Sequence, residues 1–351
     1  MGIDIWHATG QFVQLGILIL FSYSFFEKSK PVQLLNKPLG SLICWAGLVT
    51  GYYWISVFSE TKHYPVKIFM PFFNLLCLVW LYKIIVEYAT SGCIEKILKW
   101  AKYSILLILF YCTLQYLSLD QFFRSIDIGI RKDMLVGTIG NQSHLAGFLA
   151  IVQPLFFKKN RQDILSLILL WLIITLTTSA SGFLCGLAVI GFWLFFNYKK
   201  TAISFSIISV GLIVAIFIKY SVYFSSSGRF EMWVKVLDIF RDKPITGFAL
   251  GSFGALKIKT SGHWQHLHNE FYQIAFELGI IGLVLVLWCI WDYFKTFRTI
   301  KSDTTIKLAS IFFGFCLLGL MTFGAHLWLI SVYGMFAYAS LYALKNRENF
   351  Q

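Results

Sequence analysis

At 351 residues the chain has the length of about two soluble domains, yet 58% of its residues are hydrophobic, 18% are aromatic and only 13% are charged, about half the globular average of roughly 25%. A water-soluble core cannot bury that much apolar surface, and the same figures exclude a disordered chain, a disulfide scaffold and a nucleic-acid binder with a basic polar surface. The formal net charge of +13 must therefore be explained by where the cations fall along a membrane protein.

In chain order, stretches apolar enough to provide the roughly 20 residues of a transmembrane helix lie near 9–26, 39–59, 68–87, 101–119, 144–157, 164–180, 182–198, 202–223, 270–294, 306–324 and 326–344. The fifth is short. Eleven spans would place about 220 residues in lipid, which predicts an all-α polytopic membrane protein with 1–351 as a single transmembrane domain. Residues 1–10 contain no Lys or Arg, so the first stretch reads as a retained span and not a cleaved signal peptide. Trp6 stands where a myristoylation signal needs Ser or Thr.

Lys and Arg in short connections should gather on the inner side, and an N-out, C-in arrangement satisfies this. The inner segments then hold Lys28, Lys30, Lys37, Lys96, Lys99, Lys102, Lys158, Lys159, Arg161, Lys199, Lys200, Lys295, Arg298, Lys301, Lys307, Lys345 and Arg347, seventeen of the thirty basic residues. Six others, Arg229, Lys235, Arg241, Lys243, Lys257 and Lys259, fall in one long outer loop, a class of segment exempt from the rule. Six of the seven cysteines lie in spans, Cys93 lies in an inner segment, and there is no CxxC pair, which argues against disulfides and cysteine-ligated zinc.

Two outer segments are long enough to hold a site, 120–143 and 224–269. All seven histidines fall on the outer side: His7, His63, His144, His263, His266, His268 and His326. For His7, His63 and His326 a polar interface suffices as explanation. The run His263-Trp-Gln-His-Leu-His-Asn269 differs, because it sits where the long loop re-enters the membrane. A neutral imidazole, with a reference pKa of about 6.5, can take a proton from a hydroxyl near neutral pH. His268, nearest the span, is the preferred base, and Asn269 could orient its ring or hold a sugar hydroxyl. His266 is the alternate, since two residues along an extended segment share a face. Zinc held by three histidines competes with this reading, but no Asp, Glu or Cys lies in the run to complete a coordination set.

Upstream, Phe230, Trp233, Val234 and Leu237 repeat at helical spacing, with Glu231, Lys235, Asp238 and Arg241 on the other side. This predicts an amphipathic helix whose apolar face lies on the bilayer or on neighbouring spans, and which Pro244 and Gly247 end. Arg229 falls in its first turn, where backbone N–H groups already favour an anion and a guanidinium adds bidentate donors. It reads either as a diphosphate clamp or as an interfacial arginine solvating a helix start.

Three segments carry a family likeness: Gly137-Thr-Ile-Gly-Asn141 through Ala146-Gly-Phe-Leu149 to Pro154-Leu155; Gly228-Arg229 with Trp233, leading to Pro244-Ile-Thr-Gly247 and Gly251-Ser-Phe253; and His266-Leu-His-Asn269 followed by Glu277-Leu-Gly279. In this order, with the long outer loop between the corresponding spans, the chain resembles the bacterial O-antigen ligase and polymerase superfamily of polytopic membrane glycosyltransferases. The resemblance implies transfer of a glycan from an undecaprenyl-diphosphate-linked donor to an acceptor hydroxyl, on lipid A-core or a growing polysaccharide. It places that reaction on the outer, periplasmic face of the bacterial inner membrane, without metal or cofactor. In those terms His268 or His266 is the base and Arg229 binds the diphosphate, while Asn269, Asn141, His144, Arg131 and Lys132 are candidate substrate contacts. One departure stands out. The family often carries an arginine in a Ser-Arg-Gly-like element, where this sequence reads Thr177-Thr-Ser-Ala-Ser-Gly182, with Ala180 or Ser181 in the arginine's place. Either another cation serves, such as Arg124, Arg131, Lys132 or Lys219, or the substrate is handled differently.

The alternative is a transporter or flippase of lipid-linked glycans, with no covalent chemistry. Charges deep in spans line such pathways, and the main candidates are Lys83, Glu87 and Glu277. The first two are near enough to the inner end to snorkel. A structural membrane scaffold would not require Arg229 and the histidines together.

Overall fold

In a hydrocarbon slab, backbone polar groups must be satisfied within the protein, so long apolar stretches become helices. The computed structural model describes residues 36–58, 65–119, 135, 137, 139, 141–157, 160–220, 229–255, 267–300, 302–321 and 328–348. Among them, all regular structure is helical: α1 (Lys37–Phe58), α2 (Pro65–Tyr88), α3 (Ser91–Tyr116), α4 (Gln142–Val152) with a 3-10 turn (Gln153–Phe156), α5 (Arg161–Leu176), α6 (Ala180–Asn197), α7 (Lys199–Tyr220), α8 (Arg229–Phe240), α9 (Ser252–Ala255), α10 (Glu270–Thr299), α11 (Asp303–Met321) and α12 (Trp328–Glu348). Five stretches of the described residues are long and apolar enough to cross a membrane: Pro71–Tyr88, Ser91–Tyr116, Ala180–Asn197, Glu270–Thr299 and Asp303–Leu320. This is a helical multi-pass membrane protein. Of the eleven expected spans, the first (9–26) lies outside the described residues, and each of the others coincides with a helix.

Boundaries shift where charged residues continue a helix beyond its apolar part. α3 begins at Ser91, capped by Thr90, whose side chain accepts the N–H of Cys93. Lys96, Lys99 and Lys102, expected in a connection, are therefore helical, on the same helix as the buried Ile94 and Leu98. Lys295 and Arg298 likewise lie within α10, and Lys307 lies within α11.

α4 is the centre of the bundle, every residue from Leu145 to Val152 being buried. Its short apolar run ends at Val152, and the buried Gln153 that follows is fully employed. Gln153 Nε2 donates to the carbonyls of Ala150 (2.9 Å) and Gly186 (2.8 Å), while its Oε1 accepts from Trp171 Nε1 (3.1 Å). α4 and α6 run in the same direction, Ala146 against Gly182 and Gln153 against Gly186. α11 runs opposite to both α10 and α12, pairing Gly319 with Glu270 and Phe271, Phe312 with Tyr293, and Gly334 with Phe315. Ile151 meets Gly314, and Phe148 packs edge-on to Tyr333 at 5.4 Å. Small residues at these crossings let helices approach closely without a hydrophobic driving force between them. The starts of α4, α6, α10 and α12 and the end of α11 thus share one end of the bundle. At the opposite end Lys102 pairs with the buried Asp163, and Asn36 donates to Tyr338 (2.7 Å) and Asp292 (3.3 Å).

Candidate functional site

The expected site residues that are described gather at the end where α4 and α10 begin. α10 starts on Asn269, whose Oδ1 caps the helix by accepting the N–H of Tyr272 (2.9 Å) and whose Nδ2 donates to the Leu320 carbonyl of α11 (3.0 Å). Asn269 was expected to orient a ring or hold a sugar hydroxyl; in the structure its two side-chain polar atoms join the start of α10 to the end of α11. Immediately before it, His268 lies in the left-handed region at φ +53°. The chain turns there, so the extended geometry that would align the rings of His266 and His268 does not continue through His268. His266 itself lies outside the described residues.

What holds this corner is the peptide on either side of Leu267. Leu267 is fully buried, its carbonyl accepts from Trp233 Nε1 of α8 (2.7 Å), and its N–H donates to Gln273 Oε1 of α10 (3.3 Å). Tyr272 closes the connection from the other side, its hydroxyl donating to the Trp233 carbonyl (2.7 Å).

α8 spans Arg229–Phe240 as the pattern predicted. Met232 and Val236 are buried and Trp233, Ile239 and Phe240 are partly buried against Phe248, Phe253, Leu267 and Phe276. Of the face expected on the bilayer or on neighbouring spans, Trp233 meets protein, whereas Val234 and Leu237 are 48% and 43% exposed. The charges follow the expectation: Glu231, Lys235, Asp238 and Arg241 are all exposed. A helix with apolar side chains on both flanks cannot reveal from its own sequence which flank meets protein.

Below α8, the loop from Pro244 to Phe253 docks into a break in α10. Gly279 takes φ +71°, ψ −176°, a conformation open to glycine almost alone, and interrupts the helical hydrogen bonds. The carbonyls it releases find new donors: Phe276 O accepts Phe248 N–H (3.1 Å), Glu277 O accepts Ala249 N–H (2.7 Å) and Leu278 O accepts Trp45 Nε1 of α1 (2.8 Å). On the other side of the break, Ile280 N–H donates to Pro244 O (2.9 Å). Interrupted helix at membrane depth is tolerated where protein covers it in this way. Phe248 and Phe276 stack at 4.9 Å, sealing the junction. The buried carboxylate of Glu277 receives the backbone N–H groups of Gly251 and Phe253 and the Gln273 Nε2 donor (3.2 Å). Among span charges it is thus an anchor for the loop.

Asn141 caps α4, its Oδ1 accepting the N–H groups of Ser143 (2.9 Å) and His144 (3.2 Å). Asn141 and His144 therefore stand at the same end of the bundle as His268. Arg229 is the first residue of α8, and its side chain lies outside what is described. Arg131 and Lys132, like Arg124, also lie outside the described residues, as does the side chain of Lys219. At the place of the family's missing arginine, Ser179 caps α6, and Gly182 presses on Ala146 so closely that a Cβ would stand 2.3 Å from the alanine's. Among the described residues no group of three or more His, Cys, Asp or Glu side chains could hold a metal ion.

Sequence reasoning missed Gln273 and the indole of Trp233 as parts of the site. A signal was present for the first: Gln273 and Glu277 are four apart, on one face of an otherwise apolar helix.

Residues 165–287 match the model of the O-antigen ligase family, which takes in the loop, α8 and the broken part of α10. A provisionally named polysaccharide ligase of Rickettsia felis is 26% identical over 216 residues, 53% of this chain and 53% of the relative. Its counterpart in Rickettsia conorii is 25% identical over 216 residues, 53% and 52% of the two chains. The chain thus spans about half the length of the curated relatives it matches.

Proposed function

We propose that the chain, whose residues 165–287 match the O-antigen ligase family model, is a member of the O-antigen ligase superfamily and a membrane glycosyltransferase, an O-antigen ligase or surface-polysaccharide polymerase. It takes a glycan from an undecaprenyl-diphosphate-linked donor to an acceptor hydroxyl of lipid A-core or a growing polysaccharide. The chain crosses the bacterial inner membrane eleven times, N-out and C-in, with the site on the periplasmic side. The acceptor oxygen forms a bond to the anomeric carbon, the anomeric C–O bond to the diphosphate breaks, and undecaprenyl diphosphate leaves with the electron pair. The acceptor proton passes to the imidazole of His268, with His266 as the alternate base, and from there to water. Arg229, with the N–H groups that open α8, neutralises the departing diphosphate. Asn141, His144, Asn269, Arg131 and Lys132 line the substrates' approach. A diphosphate is a good enough leaving group for a base and cations to suffice without metal.

The observation that carries this reading is the backbone of His268. A non-glycine residue persists in the left-handed region only where its surroundings over-determine it, and such residues concentrate at functional sites. Here the preceding residue, Leu267, is bonded at both its N–H and its C=O, so the peptide units on either side of it are each anchored.

The test is transfer from an undecaprenyl-diphosphate-linked glycan by the full chain in lipid nanodiscs, with the product identified by mass spectrometry. His268→Ala should lower turnover by about 10²- to 10⁴-fold, the usual range for a general base. Wild-type rates in both His268→Ala and His266→Ala would overturn the chemistry. Passage of the lipid-linked glycan across proteoliposomes with no covalent product would favour a flippase.

A further inference from the structure

Gln273 is a side chain with a donor at one end and an acceptor at the other, and both are committed. Nε2 donates to Glu277 Oε1 (3.2 Å), one helical turn further along, and Oε1 accepts the N–H of Leu267 (3.3 Å), the residue before His268. Leu267, Gln273 and Glu277 are 0%, 8% and 4% exposed. Behind them, the N–H groups of Gly251 and Phe253 hold the carboxylate in place. The Glu277 charge therefore orients the amide of Gln273, with its N–H toward the carboxylate and its C=O toward the loop.

We infer that Gln273 and Glu277 form a positioning relay for His268, holding the Leu267 N–H while Trp233 holds the Leu267 carbonyl, and so fixing the Leu267 backbone that leads into the left-handed residue after it. The relay deepens the reading of His268 as the base, and on that reading it carries a kinetic consequence. The physical case rests on where the groups lie. A buried N–H without a partner is expensive, and buried networks rigidify when every member is satisfied. Trp233 holds the Leu267 carbonyl, which belongs to the peptide unit leading into His268, but leaves the preceding unit free to rotate about the Leu267 backbone. With Gln273 holding the Leu267 N–H, which belongs to that preceding unit, the two peptide planes flanking Leu267 are each anchored, one by α8 and one by α10, so the backbone of Leu267 and the direction in which the chain enters His268 are set. The relay also connects the loop to the base. Gly251 and Phe253 act on the carboxylate, the carboxylate acts on Gln273, and Gln273 acts on Leu267, so docking of the 244–253 segment is transmitted to the His268 corner.

The experiment compares wild type, Gln273→Met, Glu277→Gln, Glu277→Leu and His268→Ala as full chains in nanodiscs. Hydrogen exchange across 267–269 is read by mass spectrometry, together with transfer from an undecaprenyl-diphosphate-linked disaccharide. Methionine fills the glutamine's volume without donor or acceptor. Gln273→Met should speed exchange across 267–269 about tenfold or more, since local opening then no longer breaks the Leu267 bond. Turnover should fall about 10- to 100-fold with KM for the donor within about twofold, the signature of a displaced reacting group. Glu277→Gln keeps an acceptor for Gln273 Nε2 and should retain protection at 267–269, whereas Glu277→Leu should lose it. If Gln273→Met does not fold, the contrast between the two Glu277 variants decides the matter. Unchanged exchange and turnover in Gln273→Met, or equal protection in Glu277→Gln and Glu277→Leu, would overturn the relay. Accelerated exchange in Gln273→Met together with undiminished transfer in His268→Ala would leave the relay standing and remove the base assignment.

Discussion

Gly247 and Gly279 meet backbone to backbone: a Cβ on Gly247 would stand 2.5 Å from the Gly279 nitrogen and from the Glu277 carbonyl, and a Cβ on Gly279 would stand 1.9 Å from the Ile245 carbonyl oxygen. Both residues have positive φ, +69° and +71°. This contact lets the outer loop enter α10 far enough for Phe248 and Ala249 to take over the carbonyls released by the break. The site's geometry depends on it, since α8 is held by the same loop and the same stretch of α10.

Gly279→Ala should therefore be among the most damaging small substitutions in the protein. It combines a steric clash with main chain and a backbone conformation that alanine does not adopt. The expected loss is at least about 3 kcal/mol. Thermal unfolding of the full chain in nanodiscs measures it. A variant as stable as wild type would mean that α10 runs unbroken through this position.

Asn269 offers a way to separate two jobs of one side chain. Asn269→Ala removes the cap on α10 and should cost about 1 kcal/mol from that bond, with up to about 1 kcal/mol more from the lost bond to Leu320. Asn269→Asp keeps an oxygen for the Tyr272 N–H and adds a negative charge where the helix dipole favours it, but loses the donor to Leu320. The aspartate variant should recover most of the capping contribution. Equal stability of the two variants would show that the cap contributes nothing measurable.

Gly182 tests the seat of α6 against α4. A methyl there would overlap Ala146, with the alanine's backbone carbon 2.8 Å away, so the two helices would have to separate. Gly182→Ala should cost about 1 to 3 kcal/mol, the range for overpacking. Ala180→Ser, at an exposed position two residues earlier, should change stability by no more than about 0.5 kcal/mol. These measurements bear on the family's missing arginine as well: the short Ser179-Ala-Ser-Gly182 element is an N-cap and a close helix contact.

Much of the site was legible as an order of residues along the chain. The histidine run, Arg229 at the head of a helix and the Pro244 and Gly247 stop were all visible, and the helix over Arg229–Phe240 formed where periodicity placed it. The buried face of that helix was not legible. Val234 and Leu237 are as apolar as Met232 and Val236, and only the position of Phe248, Phe253 and Phe276 decides which pair is covered. The capping role of Asn269 could have been read from its place before an apolar run, whereas its reach to Leu320, 51 residues on, could not.

By itself the sequence determined the membrane class, the approximate places of the helices and the order in which chemically capable residues enter and leave lipid. Transfer from water to hydrocarbon is additive over a local stretch, so composition and periodicity suffice for it. Only the tertiary structure decided that α10 is broken at Gly279, that the outer loop repairs the break, and that Leu267 is held by Trp233 from one element and Gln273 from another. Apart from the Gln273 bond, six positions from Leu267, those outcomes depend on hydrogen bonds between residues 28 or more positions apart, Phe248 with Phe276 and Ile280 with Pro244 among them, and on close approach of two glycines. No local propensity encodes them; they exist only once helix packing has brought the partners together.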